Sequence, residues 1–112
     1  MLAKSITCGL DGVRGYPVEV EAYISNGLVG FDIVGLPSAA VKESRDRVRA
    51  AMLNSGYEFP FGRVTVNLAP ADRKKVGTVY DLPILLSILC AAGEIRRPRS
   101  DSAFIGEVSL DG

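Results

Sequence analysis

The sequence predicts an α+β domain of order β-β-β-α-β-α-β, a mostly antiparallel sheet with two helices packed on one face. Three observations carry this. Apolar and polar residues alternate in runs before residue 35 and again at 63–70. After Pro37 the hydrophobic period lengthens to that of a helix. From Asp81, "DLPILLSILCAAG" leaves no polar stripe wider than Ser87, so that helix must be packed on nearly all sides.

The first strand is expected over about Ala3 to Cys8, ahead of a "DG" turn at Asp11 and Gly12. In "PVEVEAYI", Val18, Val20, Ala22 and Ile24 alternate with Glu19, Glu21 and Tyr23, the period-2 pattern of a strand with one wet face. "SNG" at Ser25 to Gly27 tolerates positive φ, and Val29, Phe31 and Ile33 of "LVGFDIVG" share one side, so the second and third runs are expected to form a hairpin.

"GLPSAAVKESRDRVRAAMLNSG" places Val41, Ser44, Val48, Ala51 and Met52 on one helical stripe. Pro37 and Ser38 mark its start and Gly56 its end. The spacing permits Lys42–Asp46 and Glu43–Arg47 pairs, each worth about 0.2–0.5 kcal/mol. Arg45, Arg47 and Arg49 therefore read as a solvated face, with contact to DNA as the alternative.

"RVTVNLAP" is the fourth strand. Asp81 is the expected N-cap of the second helix, with Pro83 in its first turn and Gly93 closing it. A last strand, "AFIGEVSL", precedes a terminal "DG". That hairpin signal has no partner strand after it, so residues 1–112 are expected to be one domain of a longer protein.

Composition narrows the function. Thirteen basic and thirteen acidic residues give zero formal charge, so any nucleic-acid contact has to be local. The longest apolar run, Leu82 to Ala92, is too short to cross a bilayer, which takes about 20 residues. No signal or transit peptide is apparent, and the cytoplasm is the expected compartment. Cys8 and Cys90, far apart and in apolar surroundings, read as buried free thiols.

The charged loop between the fourth strand and the second helix is the candidate site. Its neighbouring hydroxyls, on Thr78, Tyr80 and Ser87, have no histidine to activate them, because the chain contains none. Ser87 is expected to bond a carbonyl of its own preceding turn, and Thr78 with Lys74 or Lys75 is the one dyad left to consider. "KKVGT" sets two ammonium groups before a helix start, but the Walker pattern is absent and the Asp81 carboxylate would repel a phosphate there. No cofactor is expected in this chain. Asp72, Asp81, Asp101 and Asp111 form no chelating spacing, so no metal is expected either. Arg63, Arg73, Lys74 and Lys75 remain as contacts for nucleic acid or a neighbouring subunit, or as solvated charge.

Five motifs point further: "VGLP" at Val34 to Pro37, "VKES" at Val41 to Ser44, "RVRAA" at Arg47 to Ala51, "VNLAPAD" at Val66 to Asp72 and "DLPI" at Asp81 to Ile84. With "FIGEVSLDG" they resemble the N-terminal domain of the magnesium-chelatase-like AAA+ ATPases, the YifB and competence protein ComM group, over nearly the whole chain. The resemblance implies a fold similar to the Lon proteolytic domain, the ribosomal protein S5 domain 2-like architecture. It further implies a following ATPase module that uses ATP and magnesium, a hexameric assembly of subunits, and branch-migration helicase activity on DNA. Lon-type proteases carry lysine-x-glycine-x-serine before the corresponding helix, and Lys75, Gly77 and Val79 stand at the matching places. Valine cannot attack a carbonyl, so the resemblance implies a non-catalytic accessory domain, the alternative being a degenerate or divergent serine-lysine peptidase.

Overall fold

A computed structural model describes residues Met1–Gly112. Strand β1 (Leu2–Asp11) and strand β2 (Arg14–Ser25) form an antiparallel hairpin whose two-residue loop holds Gly12 at φ +63. The pairing sets Ser5 opposite Val20 and Thr7 opposite Val18. Residues two apart share a face, so Ala3, Ser5 and Thr7 are buried beside Val18, Val20 and Ala22. The opposite face is wet, with Lys4 Nζ 3.7 Å from Glu21 and 3.9 Å from Glu19.

Strands β3 (Gly30–Val34) and β4 (Arg63–Ala69) complete a four-stranded sheet of order β1-β2-β4-β3. The expected hairpin between β2 and β3 does not form. β4 lies between them, antiparallel to β2 with Val20 opposite Leu68, and parallel to β3 with Ile33 opposite Val66. The reason is pairing length: β4 matches seven positions of β2, and its Val64, Val66 and Leu68 extend the same buried face. Residues 26–29 accordingly cross the width of a strand, about 10 Å between the neighbours on either side, instead of making a tight turn. At the crossing Gly62 has φ +104, and a Cβ there would lie 2.5 Å from Ser25 O.

The helices are α1 (Ala39–Lys42), α2 (Ser44–Asn54) and α3 (Asp81–Ala91). Ser38 caps α1 as expected, its Oγ accepting from Val41 N at 3.3 Å. The single helix expected after it is divided at Glu43. Its stripe holds, since Val41, Ser44, Val48, Ala51 and Met52 are all buried, and Gly56 at φ +90 follows its end. Of the two anticipated pairs only Glu43–Arg47 forms, at 3.7 Å.

α3 packs on β1 and β2, and α2 on β3, so both long helices cover the buried face of the sheet. Ile84, Ile88, Val64, Val66 and Leu68 are fully buried there, each stabilising the fold by about 1.5–3 kcal/mol. Ser87 does not bond its own helix. Its Oγ lies 3.0 Å from Val20 O and 2.7 Å from Ser5 Oγ, which itself reaches Pro83 O at 2.9 Å. Two hydroxyls thus pin α3 to the first hairpin.

"AFIGEVSL" is not a strand. Phe104 N donates to Ile6 O at 2.8 Å, and the segment then leaves the sheet edge to cross the start of α3. There Gly106 N donates to Val79 O and Gly106 O accepts from Leu82 N, both at 3.0 Å. First-turn N–H groups have no partner inside their own helix, so Leu82 can hold the segment as a strap. Nor are the thiols both buried: Cys8 is exposed and Cys90 partly so, and both are free. No helix is long and apolar enough to cross a membrane.

Candidate functional site

The loop between β4 and α3 is fixed at both ends by buried charge. At its near end Lys75 is fully buried, and its Nζ donates to Gly35 O at 2.8 Å and to Pro70 O. Its backbone is also held, with Lys75 N donating to Leu36 O at 3.0 Å and Lys75 O accepting from Ser38 N at 2.8 Å. This requires "VGLP" to turn sharply. Gly35 takes φ +101 and Leu36 φ +57, and a Cβ on Gly35 would lie 2.2 Å from Leu68 O. Burial pushes the Lys75 ammonium below its ordinary pKa, partly offset by Asp72.

At the far end Asp81 is the first residue of α3, not its cap, because Tyr80 occupies the cap position. The Asp81 carboxylate is fully buried and bonds other elements instead of its own helix. Arg47 donates to it from Nε at 2.7 Å and from Nη2 at 3.0 Å, Ser44 Oγ donates to Oδ1, and Val108 N donates to Oδ2 at 3.1 Å. Arg47 Nη2 also reaches Ala40 O at 3.1 Å, across the division between α1 and α2. The Asp81 hydrogen bond raises the Arg47 pKa, against the opposing effect of burial. Arg47 therefore does not belong to the solvated face, although Arg45 and Arg49 are exposed as expected.

Between these knots no loop hydroxyl is hydrogen-bonded to an amine. Val79 is 40% exposed, and Gly77 stands before it at φ +90. The Lys75 ammonium faces two carbonyls, so it does not pair with Thr78. Ser87 is sealed against Val20 O. Burial, with Tyr16 and Cys8 adding to it, pushes the Tyr80 phenol up to about 12, so it stays protonated at neutral pH. No three His, Cys, Asp or Glu side chains are grouped to hold a metal ion.

The four cations singled out in the sequence are not brought together. Lys75 is buried and unavailable to a phosphate. Arg63, at the start of β4, pairs with Asp32. Arg73 lies beyond the other end of that strand, which is about 20 Å long; it is 3.6 Å from Asp11 and stacks over Tyr16 at 4.6 Å. Lys74 lines an apolar groove with Cys8, Val76, Val79 and Ile105. Sequence reasoning missed the Ser44–Arg47–Asp81 knot. Its signal was Ser44, a polar residue on an otherwise apolar helical stripe.

Fold and site together define an α+β domain whose loop is closed by two buried polar knots. A profile described as subunit ChlI of Mg-chelatase matches residues 20–112, and the chain belongs to that family. It is 49% identical over 102 residues to the protein YifB of Salmonella typhimurium and, to the same extent, to YifB of Escherichia coli. It is 44% identical over 102 residues to competence protein ComM of Haemophilus influenzae. Each match covers 90% of this chain and 20% of the relative, so the chain spans about a fifth of their length.

Proposed function

We propose that this chain is a non-catalytic accessory domain of a magnesium-chelatase-like AAA+ ATPase, supporting ring assembly and DNA processing by the parent protein. ATP and magnesium belong, in this reading, to a module elsewhere in the parent, and the partners of the domain are that module, neighbouring subunits and DNA. The observation that carries the proposal is at the loop. Val79, the aliphatic residue that the resemblance to Lon-type proteases sets at the place of their serine, is 40% exposed, and the Lys75 ammonium is committed to Gly35 O and Pro70 O. Without a nucleophile and its base, acyl transfer has no starting point. The domain's contribution is then positional in this reading, and membership of the ChlI family is what favours an ATPase of that kind as the parent.

The test uses the full-length parent. Casein should remain intact, while branched DNA should be remodelled only when ATP is present. Proteolysis abolished by substituting a residue of loop 70–80 would overturn the reading in favour of a divergent serine-lysine peptidase.

A further inference from the structure

A second concave region lies between the β3 edge and the α1–α2 junction. It is an open cleft of about 340 Å³, and among its lining residues are Asp32, Lys42, Arg45, Arg63 and Thr65. Three cations and one carboxylate give it a local surplus of positive charge on a chain whose formal net charge is zero.

Two of the cations are held in place. Arg45 donates from Nε to Lys42 O and from Nη1 to Phe31 O, both at 3.3 Å, so its guanidinium is tied to helix and sheet at once. Arg63 is tied from the sheet side through Nη2 to Asp32. A guanidinium has five N–H donors, and these contacts leave the rest of each fork open to the cleft. The Lys42 ammonium makes no hydrogen bond or ion pair within the chain. Donors thus approach from the helical side and from the sheet side. A tetrahedral oxyanion can accept from several directions, whereas a planar carboxylate accepts within one plane, and Arg63 already has such a carboxylate in Asp32.

We propose that this cleft binds a phosphate group through Lys42, Arg45 and Arg63, presented either by the backbone of a single-stranded nucleic acid or by a free phosphate. Arg63 also belongs to the DNA contact suggested for the parent, so the inference deepens that reading at this site. The two remain separable. A parent that ignores DNA would refute the proposed function, and phosphate binding by the 112-residue chain would survive it.

The experiment titrates the chain against a labelled oligothymidylate, inorganic phosphate and a poly-glutamate peptide. Fluorescence anisotropy follows the two polymers, and NMR shifts of the Gly30–Val34 and Lys42–Arg45 amides follow the small ion. With oligothymidylate the logarithm of affinity should fall against the logarithm of salt with a slope of about −2, three cations releasing roughly 0.7 counterion each. Lys42→Glu with Arg45→Gln should weaken binding at least tenfold, and Arg96→Gln, outside the cleft, should leave it unchanged, with thermal melts reporting that each variant is folded. Shifts with inorganic phosphate but no oligothymidylate binding would assign the cleft to the free ion. Tighter binding of poly-glutamate than of oligothymidylate, or no response to any phosphate probe, would overturn the proposal.

Discussion

Arg47 and Asp81 are joined by two parallel hydrogen bonds, Nε to Oδ2 at 2.7 Å and Nη2 to Oδ1 at 3.0 Å, which tie α2 to the start of α3. The carboxylate is fully buried, and the arginine side chain is 19% exposed. Removing one member of a buried ion pair strands the other's charge, which costs about 3–5 kcal/mol. Arg47→Met should therefore lower the unfolding free energy by about that much in urea titration. Arg47→Lys should recover only part of the loss, because an ammonium cannot reproduce the planar fork.

Gly35→Ala should be among the most damaging small substitutions. The residue has φ +101, and an added methyl would meet Leu68 O at 2.2 Å. A destabilisation of about 3 kcal/mol or more is expected from the backbone conformation and the clash together, measured as a fall in the urea midpoint. Gly56→Ala makes the control, since its φ of +90 is also strained but the space around it is open. It should cost distinctly less.

Lys75→Met keeps an unbranched side chain one atom shorter but leaves Gly35 O and Pro70 O without their donor. A buried acceptor left unpaired costs about 1–3 kcal/mol, so this variant should unfold at lower urea than the parent chain. A midpoint at or above that of the parent would show that the ammonium's burial penalty outweighs its two bonds.

Tyr80 sets an alkaline limit. Its phenol titrates at about 12 in the fold against an ordinary 10.0, with burial the main cause. The neutral form is thus favoured by folding. Its contribution is complete below pH 10 and is lost as pH rises from there through about 12, because the unfolded chain gives up the proton first. Urea midpoints measured at pH 9 and at about pH 11.5 should fall more for the parent chain than for Tyr80→Phe. The opposite shift of Lys75 is present in both chains and cancels in the comparison.

Thr7→Val should raise stability by about 1 kcal/mol. Thr7 Oγ1 is buried without a hydrogen-bond partner, and valine fills the same shape without a hydroxyl to desolvate. Thermal melting of the two chains decides it.

Local periodicity made the elements legible and left their arrangement hidden. Val18, Val20 and Ala22 announce β2 by alternation, and Val41, Val48 and Met52 announce α2 by helical spacing, because one-sided burial writes itself into the nearest residues. Neighbour order has no such local record, so "SNG" suggested a hairpin that the insertion of β4 prevents. The last segment alternates like a strand, yet its N–H and C=O groups find partners at the start of α3. At the site, residue identity placed an aliphatic side chain at Val79, and only the resemblance to Lon-type proteases gave that position a meaning. The tasks of Lys75 and Asp81 were not, since each is defined by groups brought from Gly35, Ser44, Arg47 or Val108. Ser44 on the apolar stripe was the one sequence signal that a buried polar partner lay opposite.

The placement of β4 has a consequence for synthesis. β3 touches no strand except β4, so as the polypeptide leaves the ribosome, Phe31 and Ile33 have no sheet to join until residues 63–69 have emerged. The β1–β2 hairpin can form early, since its contacts are local, but completing the sheet must wait for a closure across more than thirty intervening positions. During that interval the nascent β3 is an apolar stretch in need of shelter, and α1 and α2, made in between, are the nearest surfaces able to give it.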